Sequence, residues 1–185
     1  MPRLLLAVAA LIAALLAPNT SVGAEDLATY DQRLLDALAL LDRSPATLQL
    51  HSVLDANRVR MQFVPMAPGV YARYSVARHV VEIDQRWSDA DATTLAAVIA
   101  HEATHALDAV SGYLSSGGSS ACIDSEIRAF RASALFWIEQ FGGQGKPNAE
   151  DDLDRQLNLI AERQLRDPRG LEELVRQTYT QQCAH

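Results

Sequence analysis

Between Leu95 and Val110 the chain is apolar on nearly every side of a helical wheel. Leu95, Ala96, Ala97, Val98, Ile99, Ala100, Ala103, Ala106, Leu107, Ala109 and Val110 leave only a narrow polar interruption. A helix that is apolar all round belongs at the centre of a domain, so this segment demands a fold in which other elements wrap it. Ser88 or Asp89 is suited to cap its start, and Gly112 to end it near Ser111. The interruption reads His101-Glu102-Ala103-Thr104-His105. An offset of four residues puts both imidazoles on one face about a turn apart, a spacing that lets two nitrogens meet one Zn²⁺ at roughly 2.0–2.1 Å each. Glu102 projects to the side, where it can take a proton from a water acidified by the ion. The alternative is a pair of core histidines with Glu102 bonded elsewhere. Burying all three without a partner is costly, and a metal is the simplest compensation.

Two imidazoles do not complete a catalytic zinc site, which usually has three protein ligands and one open position. Asp108 is nearest in sequence, but on a continuous helix it stands about 10 Å along the axis from His101. It is better placed to accept a hydrogen bond from a ligand imidazole, or from some other group packed around the ligands. A following helix, expected over 121–141, carries an apolar stripe of Ile123, Ile127, Phe130, Ala134, Trp137, Ile138 and Phe141. Glu126 falls at the edge of that stripe and is the expected third ligand, with Ala129 one turn on leaving room for close helix approach. Asp124 is the runner-up, on the other flank and with a shorter reach. A buried ion pair between Glu126 and an arginine is the alternative without a metal.

The sequence His101-Glu102-Ala103-Thr104-His105, followed by Glu126-Ile127-Arg128-Ala129, resembles the zincin metallopeptidases of the gluzincin type. The block from about Tyr71 to Ile138, under half of the chain, is similar to small exported bacterial metallopeptidases. The resemblance implies hydrolysis of peptide bonds with Zn²⁺ as cofactor, His101, His105 and Glu126 as ligands and Glu102 as general base and then proton donor. It also implies that an edge strand, expected at 80–84, aligns an extended peptide or protein substrate by backbone pairing. Phe130 stands where several gluzincin families have Asp, which leaves Asp108 to supply that carboxylate. A metzincin is disfavoured, because Asp108 occupies that group's Gly position and no third His follows nearby. The donor to the oxyanion stays open among Tyr113, Tyr179 and His185. Two other functions stay open as well: a zinc-bearing binding protein without turnover, and an amide hydrolase acting on cell-wall cross-links.

The rest of the chain sets the context. Arg3 precedes an aliphatic run over residues 4–17, about 14 residues long, shorter than the roughly 20 of a membrane-spanning helix. With small residues at Val22 and Ala24, this reads as a signal peptide over residues 1–24, cleaved after Ala24; the alternative is an uncleaved anchor. The expectation is a secreted, periplasmic or extracellular protein. Export makes Cys122 and Cys183, the only cysteines, a disulfide pair. Closing a loop of that length stabilises a fold by roughly 3–4 kcal/mol. With a net charge of −7 and Lys146 as the single lysine, the chain has no basic surface for nucleic acid.

The 185 residues show no repeats and no long low-complexity linker, so residues 25–185 read as one domain. Apolar spacings of three and four predict helices over 26–41, 121–141, 149–166 and 170–182, and Ser44-Pro45 opens another through Ala56. Segments 58–64, 70–76 and 79–84 read as strands, with Ala77-Arg78 a tight link, and 113–120 as a loop. His51 and His79 are expected at the surface. The fold class is α+β, a compact zincin-like domain with a small antiparallel sheet packed on a mostly helical body around the buried motif helix.

Overall fold

The computed structural model describes residues 31–149 and 151–184. The signal peptide expected over 1–24 and His185 lie outside them. The architecture is α+β, with seven α-helices and a three-stranded sheet in the described residues. At its centre runs α3 (Ala92–Val110), as its apolar circumference requires, with Leu95, Ala96, Ala97, Ile99, Ala100, Ala103 and Ala106 fully enclosed. Asp91 caps it, its carboxylate accepting from the N–H groups of Thr93 and Thr94 at 2.9 and 3.1 Å. The start is therefore later than Ser88 or Asp89, because Gln85–Trp87 first forms a 3₁₀ turn of its own. Gly112, at φ +76°, ends the element where a side chain would be strained.

Helices α1 (Gln32–Leu41) and α2 (Leu50–Ala56) pack on one side of α3. The first runs from Gln32, with Asp31 as its cap bonding the N–H of Arg33; residues 26–30 of the expected helix lie outside the described residues. Pro45 does not open α2 either; residues 45–49 are turns, and Ser44 is buried against Glu139. The other side of α3 is covered by α5 (Gly118–Phe141), whose Ala129 and Ala134 are fully buried. The expected loop over 113–120 is instead the short helix α4 (Tyr113–Ser116) and the first turn of α5.

Strands β1 (Arg60–Val64), β2 (Ala72–Ser75) and β3 (Val80–Asp84) form the sheet in the order β1-β3-β2. Only β2 and β3 are antiparallel, joined by the short link through Ala77-Arg78; β1 runs parallel to β3, with Arg60 opposite Val80 and Val64 opposite Asp84. The sheet is thus mixed, not antiparallel. The link over residues 65–71 is long enough to carry the chain past a hairpin, and all five residues of β3 are buried, as a central strand requires.

Helices α6 (Asp152–Arg166) and α7 (Pro168–Tyr179) complete the body. Pro168 suits the first turn of α7, with Asp167 as its cap. Lys146 anchors the start of α6 to that of α3 by binding Asp154, Asp91 at 2.5 Å and Thr94 Oγ1 at 3.1 Å. Cys122 and Cys183 are disulfide-bonded and join α5 to the end of the α7 segment. No helix of the described residues is long and apolar enough to cross a membrane.

Candidate metal centre

His101 and His105 stand one turn apart on α3, with ring centroids 5.0 Å apart. They face Glu126, which α5 presents across the tight α3–α5 contact that Ala103, Ala106 and Ala129 permit. Glu126 Oε2 lies 3.6 Å from His101 Nε2, and Oε1 lies 3.6 Å from His105 Nε2. These separations are too long for hydrogen bonds. Two donors held at 2.0–2.1 Å from a tetrahedral ion would be about 3.3–3.4 Å apart, close to the observed spacing. One donor atom from each of the three residues fits within a 4.8 Å span.

The electrostatics fit the same reading. Burial pushes the His101 imidazole down to about 4, so it is neutral at pH 7 with a free lone pair. Burial lowers His105 to about 4 as well, against the upward pull of Glu126. Burial raises Glu126, and the nearby His105 offsets this only in part. Both His105 Nε2 and Glu126 Oε2 are buried without a hydrogen-bond partner. Two neutral imidazoles and a carboxylate converging with unpaired atoms are costly to bury, and a divalent cation satisfies all three donors. These residues fit such an ion.

The tautomer of His105 follows from its neighbours. Asp108 forms an ion pair with Arg128 at 2.9 Å and, as a carboxylate, can only accept hydrogen bonds. Ser125 Oγ gives its single proton to Asp108 Oδ2 at 2.6 Å. The contact of 2.8 Å between Ser125 Oγ and His105 Nδ1 then has Nδ1–H as donor, which leaves Nε2 free toward Glu126. Asp108 thus accepts from Ser125, which in turn contacts the imidazole. Neither Ser125 nor Arg128 stood out in the sequence; a lone Ser beside Glu126, one turn before Ala129, was the only signal. Phe130 sets its ring edge-to-face on His101, with centroids 4.7 Å apart.

Glu102 is 4% exposed and lies beside His101 on the wall of a cavity of about 60 Å³. Tyr71 and Ala72 form one side of that cavity, and Leu153, Gln156, Leu157 and Ile160 of α6 form the other. Burial, then the charge of Glu126, pushes the Glu102 carboxyl up to about 8; the N–H of Tyr74 in β2 hydrogen-bonds it and opposes the shift. The strand next to the site is therefore β2, an edge strand. The expected edge over 80–84 is the central strand β3, which already pairs on both sides.

The other candidates fall elsewhere. Asp124 accepts from Tyr113 Oη at 3.3 Å and from Arg176 at 3.1 Å, outside the donor cluster. Tyr113 lies under the Arg128 guanidinium, 4.1 Å from its ring centroid. Tyr179 is buried and packs on Phe130 at 5.8 Å. His51 is bonded to Asp42 at 2.7 Å, and exposed His79 to Tyr74 at 3.2 Å, so neither belongs to the cluster. Comparison of the chain with protein-family models, with curated proteins and with solved structures finds no match.

Proposed function

We propose that this protein is an exported zinc-dependent metallopeptidase that hydrolyses peptide bonds. The observation that carries the reading is the convergence of His101, His105 and Glu126 with buried unpaired donor atoms, directly beside Glu102. Zinc held there supplies Lewis acidity, which acidifies water and polarises a carbonyl. His101 and His105 offer Nε2 as neutral donors, the second with its ring fixed by Ser125. The Glu102 carboxylate accepts the proton of the attacking water and passes it to the departing amine. Burial is the larger cause of the upward shift at Glu102 and the charge of Glu126 the smaller; a cation beside both would favour the ionised carboxylate. The outer edge of β2, next to Glu102, is where an extended peptide would pair.

A zinc-loaded preparation should cleave a peptide library. Glu102→Gln should bind zinc with unchanged affinity while losing about 10²–10⁴-fold in hydrolysis. Turnover unchanged by that substitution contradicts the mechanism; cleavage confined to cell-wall cross-links moves the substrate class to that amide. One observation favours a second reading, a zinc-binding protein without turnover. The cavity of about 60 Å³ beside Glu102 has room for a few waters and no peptide. Under that reading the digest shows no cleavage by wild type, although zinc binds.

A further inference from the structure

The Cys122–Cys183 disulfide ties the helix that carries Glu126 to the segment that carries Tyr179. On α5, Cys122 precedes Glu126 by four residues. On the other segment Cys183 follows Tyr179 by four, its N–H bonded to the Tyr179 carbonyl at 2.9 Å. The two segments run antiparallel, since Phe130, further along α5 than Cys122, meets Tyr179, which precedes Cys183. One turn inward from the bridge, the register therefore sets Tyr179 against Glu126. Both side chains are about 98–99% buried, at 1% and 2% exposure. Tyr179 Oη has no hydrogen-bond partner, and neither has Glu126 Oε2. A buried phenol without an acceptor beside a buried carboxylate oxygen without a donor is an arrangement that packing alone does not call for.

We propose that Tyr179 is a positioning residue of the metal centre, giving its O–H to Glu126 Oε2, and that the disulfide is the clamp that sets their approach. This rests on the metal-centre reading above. The bond is completed by rotation of the two side chains when Glu126 turns toward an ion. With Oε2 occupied by the phenol, Glu126 offers only Oε1 as a ligand. His101, His105 and Glu126 would then each supply one donor to a bound ion, the donor number of a catalytic zinc site. The bridge thus has a functional role beyond shortening the unfolded chain.

The test is zinc affinity of the full chain by chelator competition, together with the visible spectrum of the Co²⁺-substituted protein. Tyr179→Phe keeps the ring that packs on Phe130 and so keeps the fold. It should weaken zinc binding about 10–100-fold. It should also lower the Co²⁺ absorption, as Glu126 becomes bidentate and the coordination number rises. The Cys122→Ala/Cys183→Ala variant should weaken binding by a similar factor, with no further loss when Tyr179→Phe is added. Wild-type affinity and an unchanged Co²⁺ spectrum in Tyr179→Phe overturn the proposal, whether or not the disulfide variant folds. Hydrolysis is not part of the readout, so a wild type that binds zinc without cleaving peptides refutes the peptidase reading and leaves this test intact. A wild type that binds no zinc overturns both.

Discussion

Ser125 is the residue on which the chemistry of His105 depends most directly. Its hydroxyl has one proton, and the Asp108 carboxylate, paired with Arg128, accepts it. His105 must then donate from Nδ1, which aims an unprotonated Nε2 at Glu126. Ser125→Ala removes the acceptor and lets the ring exchange tautomers and turn. Zinc affinity should fall about 10–100-fold, measured by chelator competition, with the helical content unchanged. A change of less than about twofold would show that His105 is oriented by packing alone. At this scale the sequence was most informative where the pattern is local. His101, Glu102 and His105 lie on one helix, so spacing alone sets their relation. Glu126 was found from the edge of an apolar stripe, and Asp108 from its nearness to His105. Ser125, Arg128 and Phe130 act across the α3–α5 contact, and a pairing between helices leaves no periodic trace in either one.

Among the elements, the helices followed from periodicity while their ends and the sheet order did not. Several residues near Asp91 can cap a helix, and the 3₁₀ turn at Gln85–Trp87 decides which one does. The sheet order depends on how residues 65–71 cross, which strand patterns do not encode; β3 becomes central because both its faces and both its edges are covered. That central position encloses Glu82, at 2% exposure, with Arg73 at 2.6 Å, Arg78 at 2.9 Å and Gln62 at 3.2 Å. Burial alone would raise the Glu82 carboxyl, but the bonds from Arg73 and Arg78 outweigh it and hold it below its ordinary 4.5. A depressed folded value makes the ionised pair stabilising above about pH 4.5, and that contribution is lost as pH falls through the lower folded value. Glu82→Gln should therefore flatten the acid limb of a stability-versus-pH curve. At pH 7 it should cost about 1–2 kcal/mol, less than a fully buried pair because both arginines are half exposed. Chemical denaturation from pH 7 to pH 3 measures this. A parallel displacement of the whole curve, with the acid limb unchanged, would assign the stabilisation to packing.

The whole molecule is arranged around one helix that cannot face water. α1 and α2 cover one side of α3 and α5 another, while β2 and α6 flank the cavity beside Glu102. Lys146 fastens α6 at one end, and the Cys122–Cys183 bridge fastens the α7 segment at the other. This enclosure is what makes the donor cluster costly without an ion, because His105 Nε2 and Glu126 Oε2 are buried without a hydrogen-bond partner. An ion that binds only the folded chain must also raise its stability in proportion to RT ln(1 + [L]/Kd). If α3 and α5 jointly hold one divalent cation, elemental analysis of the purified full chain after reconstitution with zinc should find one zinc per polypeptide, retained through gel filtration and lost in a His101→Ala/His105→Ala variant. A wild-type chain that emerges from reconstitution folded and without zinc would contradict it.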